Sequence, residues 1–224
     1  MHIIGITVCV DYSDYLAATI DSKLQCCDTL IVATVDSDAA TIRLIQGSRK
    51  KSHENDFKIV DCVLPNTIIS SNKAKFNKSA MVWASQDLAY RLCSDEKIEN
   101  SVFLLVDADI ILPEHTRQVI EECATDSSTI YGARRRDFVT PEDYQSQSSI
   151  SIPHYRREPR FALAGYFQLY FERKFYPENS VSCAKCDDIF RDGFAKKVIM
   201  PLIVDHIGPE RVNWKGRVSE PWVS

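Results

Sequence analysis

Short apolar runs alternate with amphipathic segments through the first half of the chain. Leu16, Ile20 and Leu24 repeat every four residues and predict a helix, and residues 77–92 place apolar side chains on one face of a second helix. Runs typical of buried strands flank these helices at residues 3–10, 29–35, 57–63 and 102–106. Strands that alternate with helices predict βαβ units and a mostly parallel central sheet flanked by helices, which is an α/β fold.

The alternation weakens in the second half of the chain. Strands are predicted at residues 130–132, 161–171 and 198–204, and helices at residues 114–123 and 187–196. The polar segment 140–159 contains three prolines and many serines, which is typical of a lid or a specificity loop. We therefore expect one domain, residues 1–224, with an elaborated second half.

Composition narrows the class of protein. With 224 residues, 45% of them hydrophobic and 26% charged, the chain is long enough for one substantial core. A net charge of −4 excludes a globally basic nucleic-acid binder. The sequence has no run of about 18 apolar residues and no basic N-terminal region, so we expect a cytoplasmic protein. The eight cysteines are interpreted as reduced thiols, with half of a zinc site at Cys183 and Cys186 as the alternative.

An acidic pair follows the fourth predicted strand, in the segment VFLLVDADIILP at residues 102–113. Asp107 and Asp109 are two residues apart, so in an extended chain both carboxylates project to the same side. Ligands of open α/β sheets bind at the carboxyl ends of the strands. A divalent cation that carries a diphosphate suits two hard oxygen ligands there. The alternative is that one aspartate caps the following helix and the other is solvated.

Five further segments accompany the acidic pair in a defined order, at residues 7–12, 31–41, 74–84, 186–188 and 205–217. Together they resemble, over nearly the whole chain, the family-two-like GT-A glycosyltransferases, which transfer a sugar from a nucleotide diphosphate donor. Three departures accompany this resemblance: the turn after the second strand lacks a Gly-Ser pair, the first loop lacks a Pro-x-Tyr-Asn pattern, and no Gln-x-x-Arg-Trp follows the acidic residues at 187 and 188. The last departure favours transfer of a single sugar over processive synthesis.

The resemblance implies a GT-A fold with a nucleotide-sugar-binding half, residues 1–112, and an acceptor-binding half with a C-terminal lid, residues 113–224. In it, Asp11, Tyr12 and Asp36 would contact the nucleobase, since a carboxylate accepts the imide N–H of uracil and an aromatic ring stacks on the base. The alternative for Asp36 is a turn-forming role. Further donor contacts are expected from Lys78, Asp107, Trp214, Lys215 and Arg217.

The same resemblance implies a metal site and a general base. Asp109 and His206, with Asp107, would bind Mn²⁺ or Mg²⁺, and the imidazole favours Mn²⁺. Asp188, or less favourably Asp187, would deprotonate the acceptor hydroxyl, and direct attack by this hydroxyl inverts the anomeric configuration. The alternatives are a structural histidine and an acidic first turn of a helix.

The acceptor side is expected to be rich in arginine and aromatic residues. Such a surface could bind a polyanion, and a hydroxymethylated DNA base is one possible acceptor. The alternative is a solvated arginine face with ion pairs to Glu142, Asp143 and Glu158. The residues assigned to the acceptor side are Arg134, Arg135, Arg136, Tyr155, Arg156, Arg157, Gly165 and Tyr166.

The sequence thus predicts a metal-dependent, inverting transferase of one hexose, with a UDP-sugar as the expected donor and a hydroxyl as the acceptor. Two other functions remain open. A polyanion-binding module with a degenerate site would explain the arginines and the nonstandard turn. A sugar-phosphate nucleotidyltransferase would share the sheet, but it needs a glycine-rich phosphate loop that VCVDYSDYL does not provide.

Overall fold

The computed structural model describes residues 1–52, 57–68, 77–146, 163–178 and 183–208, without the side chains of residues 50–52, 183 and 184. Its first half contains β1 (His2–Val8), α1 (Ser13–Cys26), β2 (Thr29–Val35), α2 (Ala39–Ser52), β3 (Lys58–Leu64), a short 3₁₀ helix (Asn66–Ile68), α3 (Lys78–Asp95), β4 (Ser101–Val106) and β5 (Ile110–Ile111). Its second half contains α4 (Thr116–Cys123), β6 (Thr129–Phe138), α5 (Pro141–Gln145), β7 (Phe167–Tyr170), α6 (Cys183–Asp192) and β8 (Lys196–Ile207).

The described strands form one sheet of eight in the order β3-β2-β1-β4-β7-β6-β8-β5. The four strands from β3 to β4 are parallel, as the alternation of strands and helices predicts. β7 is antiparallel to both β4 and β6, and β5 is antiparallel to β8, so the second half of the sheet is mixed. The predicted α/β class is confirmed, with antiparallel strands in the half where the alternation weakens.

Helices cover both faces of the parallel strands, because successive apolar residues of a strand point to opposite faces. On β2, Leu30 and Val32 pack with the α1 stripe of Leu16, Ile20 and Leu24. Ile31 and Ala33, which alternate with them along β2, pack with Met81 and Val82 of α3 on the other face. None of the described helices is long and apolar enough to cross a membrane.

The predicted elements of the first half lie close to the observed ones, and the second half differs more. β6 (Thr129–Phe138) is longer than the predicted 130–132, β7 (Phe167–Tyr170) covers only part of the predicted 161–171, and α5 lies in the segment predicted to be a loop. α6 begins at Cys183, four residues before the predicted start, so Asp187 and Asp188 lie within the helix and do not open it. α2 was not predicted, since its second half, QGSRKKS, is polar and gives no long apolar stripe.

The pairing of β8 brings distant parts of the chain together at one edge of the sheet. His206 of β8 is the register partner of Ile110 in β5 and of Asp137 in β6. The backbone N–H of Ile207 also donates to the carbonyl of Asp109, at 2.9 Å. The residues after β4 are thereby fixed beside the C-terminal end of β8.

The chain leaves β8 through Gly208, whose φ of +98° lies in the region that favours glycine. A Cβ here would also lie 2.6 Å from the Tyr15 ring. We expect Gly208→Ala to lower the free energy of unfolding by about 1–3 kcal/mol. Gly47→Ala is the matched control, because a Cβ at this exposed helical position meets nothing within 4 Å. It should raise stability by about 0.5–1 kcal/mol. Urea unfolding of both variants tests this, and equal stabilities would contradict it.

Candidate functional site

The acidic pair lies where the sequence places it, directly after the buried strand β4. The N–H of Asp107 donates to the carbonyl of Tyr166 (3.2 Å), and the N–H of Ile110 donates to that of Asp107 (3.3 Å), which closes a turn. Asp109 is buried in this turn, whereas Asp107 is half-buried. The two carboxylates have different partners.

Asp107 forms an ion pair with Lys78, the first residue of α3. The ammonium lies 2.7 Å from Oδ1 of Asp107 and 3.7 Å from Oδ1 of Asp187. Burial disfavours the charged amine, but the two carboxylates outweigh it and raise the pKa of Lys78 above its usual range. Lys78 therefore joins two carboxylates in this structure.

Asp109 faces His206 across a buried contact, with Oδ2 and Nε2 3.4 Å apart. The other ring nitrogen of His206, Nδ1, lies 3.1 Å from Oδ1 of Asp137. Arg135 completes the chain of contacts, with Nε 2.9 Å from the same oxygen of Asp137. Burial opposes protonation of the imidazole, but Asp109 and Asp137 outweigh it and raise the pKa of His206 to about 9.

This geometry fits a cation held by Asp109 and the neutral form of His206, since a divalent cation would take the place of the proton on Nε2. A metal-bound histidine commonly has its second nitrogen held by a carboxylate, as Asp137 holds Nδ1 here. Within the described residues, no group of three or more His, Cys, Asp or Glu could hold a metal ion. A cation would therefore take two protein ligands and complete its shell with oxygens of a bound molecule or water. Asp107 pairs with Lys78, and its predicted part in binding the cation stays a prediction.

Asp187 and Asp188 have different surroundings. Asp187 Oδ1 lies 3.1 Å from the hydroxyl of Tyr176, and its carbonyl accepts from Gln168 (3.3 Å). Asp188 is 58% exposed at its side chain and pairs with Arg191 at 2.6 Å. Asp187 thus belongs to the group around Lys78, whereas Asp188 faces outward.

Gly165 provides the space that Asp187 occupies. A Cβ on Gly165 would lie 2.1 Å from the carboxylate of Asp187. Any larger residue at this position would therefore displace the Asp187 carboxylate from its contacts with Lys78 and Tyr176.

The loop after β1 is held by Asp38, which the sequence did not single out. Asp38 Oδ2 accepts from the N–H of Asp11, which has a φ of +60°, and from the hydroxyl of Thr41. Tyr12 is only 8% exposed and packs near Tyr15, so it offers little ring surface to a base. Asp36 is exposed at the end of β2, where Oδ1 accepts from the N–H of Asn66 (3.0 Å).

The described residues assigned to the acceptor side differ in what they contact. Arg136 forms a two-bond ion pair with Asp205 (2.8 and 3.0 Å), and Arg135 lies over the Tyr166 ring while it pairs with Asp137. Tyr166 is buried and donates to the carbonyl of Ala133. Arg134 is exposed. Arg135, Arg136 and Tyr166 therefore contact other groups of the protein in this structure, and their role on the acceptor side stays a prediction. Other predicted site residues lie outside the described ranges and stay predictions: Tyr155, Arg156, Arg157, Trp214, Lys215 and Arg217.

Lys23 of α1 was missed by the sequence analysis. Its side chain is fully buried, and its ammonium donates to Thr19 Oγ1 (2.7 Å), the carbonyl of Ile110 (2.6 Å) and that of Ala108 (3.5 Å). Burial lowers the pKa of Lys23 to about 7, and Asp109 opposes this shift. A lysine beside an apolar helical stripe usually extends its amine to solvent, which is why the sequence gave no signal.

Comparisons with known proteins identify the fold. No protein-family model and no curated protein matches the chain. A mannosyltransferase from Pyrobaculum calidifontis, solved with GDP-Man and Mn²⁺, superposes on 95% of this chain with a TM-score of 0.56 and 12% identity. The chain has a GT-A fold. It spans 58% of the length of that mannosyltransferase chain.

A second solved structure shares this fold. It is a putative glucose-1-phosphate thymidylyltransferase from Bacillus anthracis, solved with sucrose, with a TM-score of 0.51 and 14% identity. The match covers 90% of this chain and 88% of that one. At such identities the likeness shows the fold alone, and this confirms the predicted GT-A architecture.

The pKa of Lys23 predicts how stability depends on pH. In the unfolded chain this amine titrates near 10.5, and in the folded chain near 7, so between these values the unfolded state binds more protons. The contribution of Lys23 to the free energy of unfolding should therefore rise with pH across this window. Lys23→Met lacks this contribution. Chemical unfolding of both proteins from pH 6.5 to pH 10 should show the wild type gaining stability relative to the variant, and parallel curves would contradict the prediction.

Proposed function

We propose that this protein is a metal-dependent, inverting glycosyltransferase that moves one hexose from a nucleotide-diphosphate sugar to a hydroxyl acceptor. The observation that carries the proposal is the buried Asp109–His206 contact, 3.4 Å across at the carboxyl end of β4. The second acidic centre of the site, Asp187, is linked to the same turn through Lys78 and Asp107. Lys78 thus connects the proposed cation site with the proposed proton acceptor.

Asp109 and His206 would hold the cation. A mixed carboxylate and imidazole set suits Mn²⁺ better than Mg²⁺, and the mannosyltransferase of similar fold was solved with Mn²⁺. When bound, the cation would neutralise charge that develops on the diphosphate leaving group. Asp137 would keep the His206 ring oriented, because it contacts Nδ1 while Nε2 faces Asp109.

Asp187 is the better candidate for the general base. Its carboxylate lies 3.7 Å from the Lys78 ammonium and 3.1 Å from the Tyr176 hydroxyl, beside the acidic pair. Asp188, favoured from the sequence alone, instead pairs with Arg191 at the surface. Direct attack of the deprotonated acceptor oxygen on the anomeric carbon breaks the bond to the diphosphate and inverts the configuration.

The nucleobase of the donor is proposed to bind at Asp36. This carboxylate is exposed at the end of β2, beside the loop after β1. It can accept the imide N–H of uracil or the N–H groups on the edge of guanine. The UDP-sugar expected from the sequence and a GDP-sugar both fit this chemistry. The structural neighbour solved with GDP-Man supports a GDP-sugar.

The acceptor is proposed to be a hydroxyl group. A hydroxymethylated DNA base gains no support from Arg135 and Arg136, because both pair with carboxylates of the protein. The same ion pairs weaken the hypothesis of a polyanion-binding module.

The alternative enzyme, a sugar-phosphate nucleotidyltransferase, is supported by the second structural neighbour, a putative thymidylyltransferase. It would require free amides after β1 for the triphosphate, whereas the Asp11 N–H donates to Asp38.

Removal of the metal ligand should abolish transfer. We expect the wild type to hydrolyse or transfer from a UDP- or GDP-hexose only when Mn²⁺ or Mg²⁺ is present, and Asp109→Asn to lose at least about 100-fold in turnover. Asp126→Asn is the matched control, since Asp126 pairs with Lys196 on the surface. Release of nucleoside diphosphate across a panel of nucleotide sugars measures this. Metal-independent turnover, or full activity of Asp109→Asn, would contradict the proposal.

The two adjacent aspartates give a second test. Asp187→Asn should lower kcat by about 10²–10⁴-fold, because an amide cannot accept the acceptor proton. Asp188→Asn should stay within about twofold of the wild type, because its carboxylate faces Arg191. Steady-state transfer to the acceptor found in the panel distinguishes them, and the reverse ranking would return the base to Asp188.

A further inference from the structure

Lys23 occupies the protein interior directly behind the turn that carries Asp109. The hydrogen bonds described for its ammonium all go to neutral oxygens, those of Thr19, Ala108 and Ile110. A buried amine costs free energy, and an apolar residue of similar length would avoid that cost. We therefore look for the role of this lysine in the oxygen atoms that accept its hydrogen bonds.

Those atoms are the carbonyls on either side of Asp109. The carbonyls of Ala108 and Ile110 point to Lys23, at 3.5 and 2.6 Å, and Thr19 also donates to that of Ala108 at 2.6 Å. The carbonyl of Asp109 points the other way, to the N–H of Ile207 at 2.9 Å. Three consecutive peptide groups are thus fixed alternately by α1 and β8, which leaves the Asp109 side chain little freedom.

Ser22 extends this contact by one turn of helix. Its hydroxyl oxygen accepts from the N–H of Leu112, at 3.1 Å. α1 therefore holds residues 108–112 through Thr19, Ser22 and Lys23, on the side of the turn opposite to β8.

We propose that Lys23 is a positioning residue that aims the Asp109 carboxylate at His206. It acts through the carbonyls of Ala108 and Ile110, the residues before and after Asp109, and does not contact the substrate. This inference rests on the proposed function, in which Asp109 and His206 hold the cation.

A simple charge effect makes the opposite prediction for cation affinity. An ammonium near Asp109 repels a divalent cation, so its removal would tighten cation binding if charge were its only role. If Lys23 positions Asp109, its removal weakens binding. Lys23→Met should therefore weaken Mn²⁺ binding in the presence of UDP or GDP by about 10-fold or more, as loss of an outer-shell partner does. Tighter or unchanged binding in the folded variant would overturn the proposal.

The experiment compares three variants of the full chain. Lys23→Met removes the donor, and Thr19→Val removes the second hydrogen bond to Ala108 without a change of charge. Leu24→Ala is the control, because Leu24 is buried on the same helix and packs with Leu16 and Ile20. Mn²⁺ affinity from electron paramagnetic resonance should fall in the first two and stay at the wild-type value in the control. Unchanged or tighter binding in Lys23→Met would overturn the proposal whatever Thr19→Val does. If Lys23→Met does not fold, Thr19→Val decides, because it also removes the oxygen that accepts a hydrogen bond from Lys23.

Hydrogen exchange of the Ile207 amide provides a readout that needs neither metal nor activity. This N–H donates to Asp109, so a loosened turn should speed its exchange at least about 10-fold in Lys23→Met beyond the change in Leu24→Ala. Equal exchange in the two variants would contradict the positioning role. A wild type that binds no Mn²⁺ and uses no nucleotide sugar would instead contradict the proposed function, while the exchange data would still decide the role of Lys23.

Discussion

The pairing of β5 with β8 is the constraint on which the site depends. Asp109 and His206 are far apart in the sequence, and they meet because Ile110 is the register partner of His206 and the Ile207 N–H donates to Asp109. A strand of two residues has little pairing energy of its own, so its position is secured by α1 from the other side. The geometry of the site is therefore a property of the sheet edge and of the helix beneath it.

Charge balance within the site is provided by the chain itself. Lys78 lies between Asp107 and Asp187, Arg135 pairs with Asp137, and Arg136 pairs with Asp205. Carboxylates gathered at one edge of a sheet would otherwise repel one another and raise their pKa values. Burial still raises the pKa of Asp107, with Asp109 and Asp187 adding to the rise and Lys78 opposing it. Arg135 and Arg136, which the sequence assigns to the acceptor side, thus pair with carboxylates at this edge of the sheet.

The sequence predicted those features that arise from local patterns. The parallel strands, the helices on both faces and the acidic pair after β4 follow from periodicity within short windows. The choice between Asp187 and Asp188 depends on the rotation of α6, which starts four residues before its predicted start. The partners of Arg135 and Arg136 depend on the register of β6 against β8, which no local pattern contains. Lys23 and Asp38 were missed for the same reason, since their partners lie in other elements or in a turn whose shape the sequence does not specify.

The proposed function requires that Asp109 and His206 hold the cation that carries the diphosphate. Pulsed electron paramagnetic resonance of Mn²⁺ with UDP or GDP and the wild-type protein tests it most directly, since a coordinating imidazole gives a nitrogen coupling. We expect the coupling of one imidazole nitrogen in the wild type and its loss in His206→Ala. A wild-type spectrum without nitrogen coupling, or one that His206→Ala leaves unchanged, would contradict it.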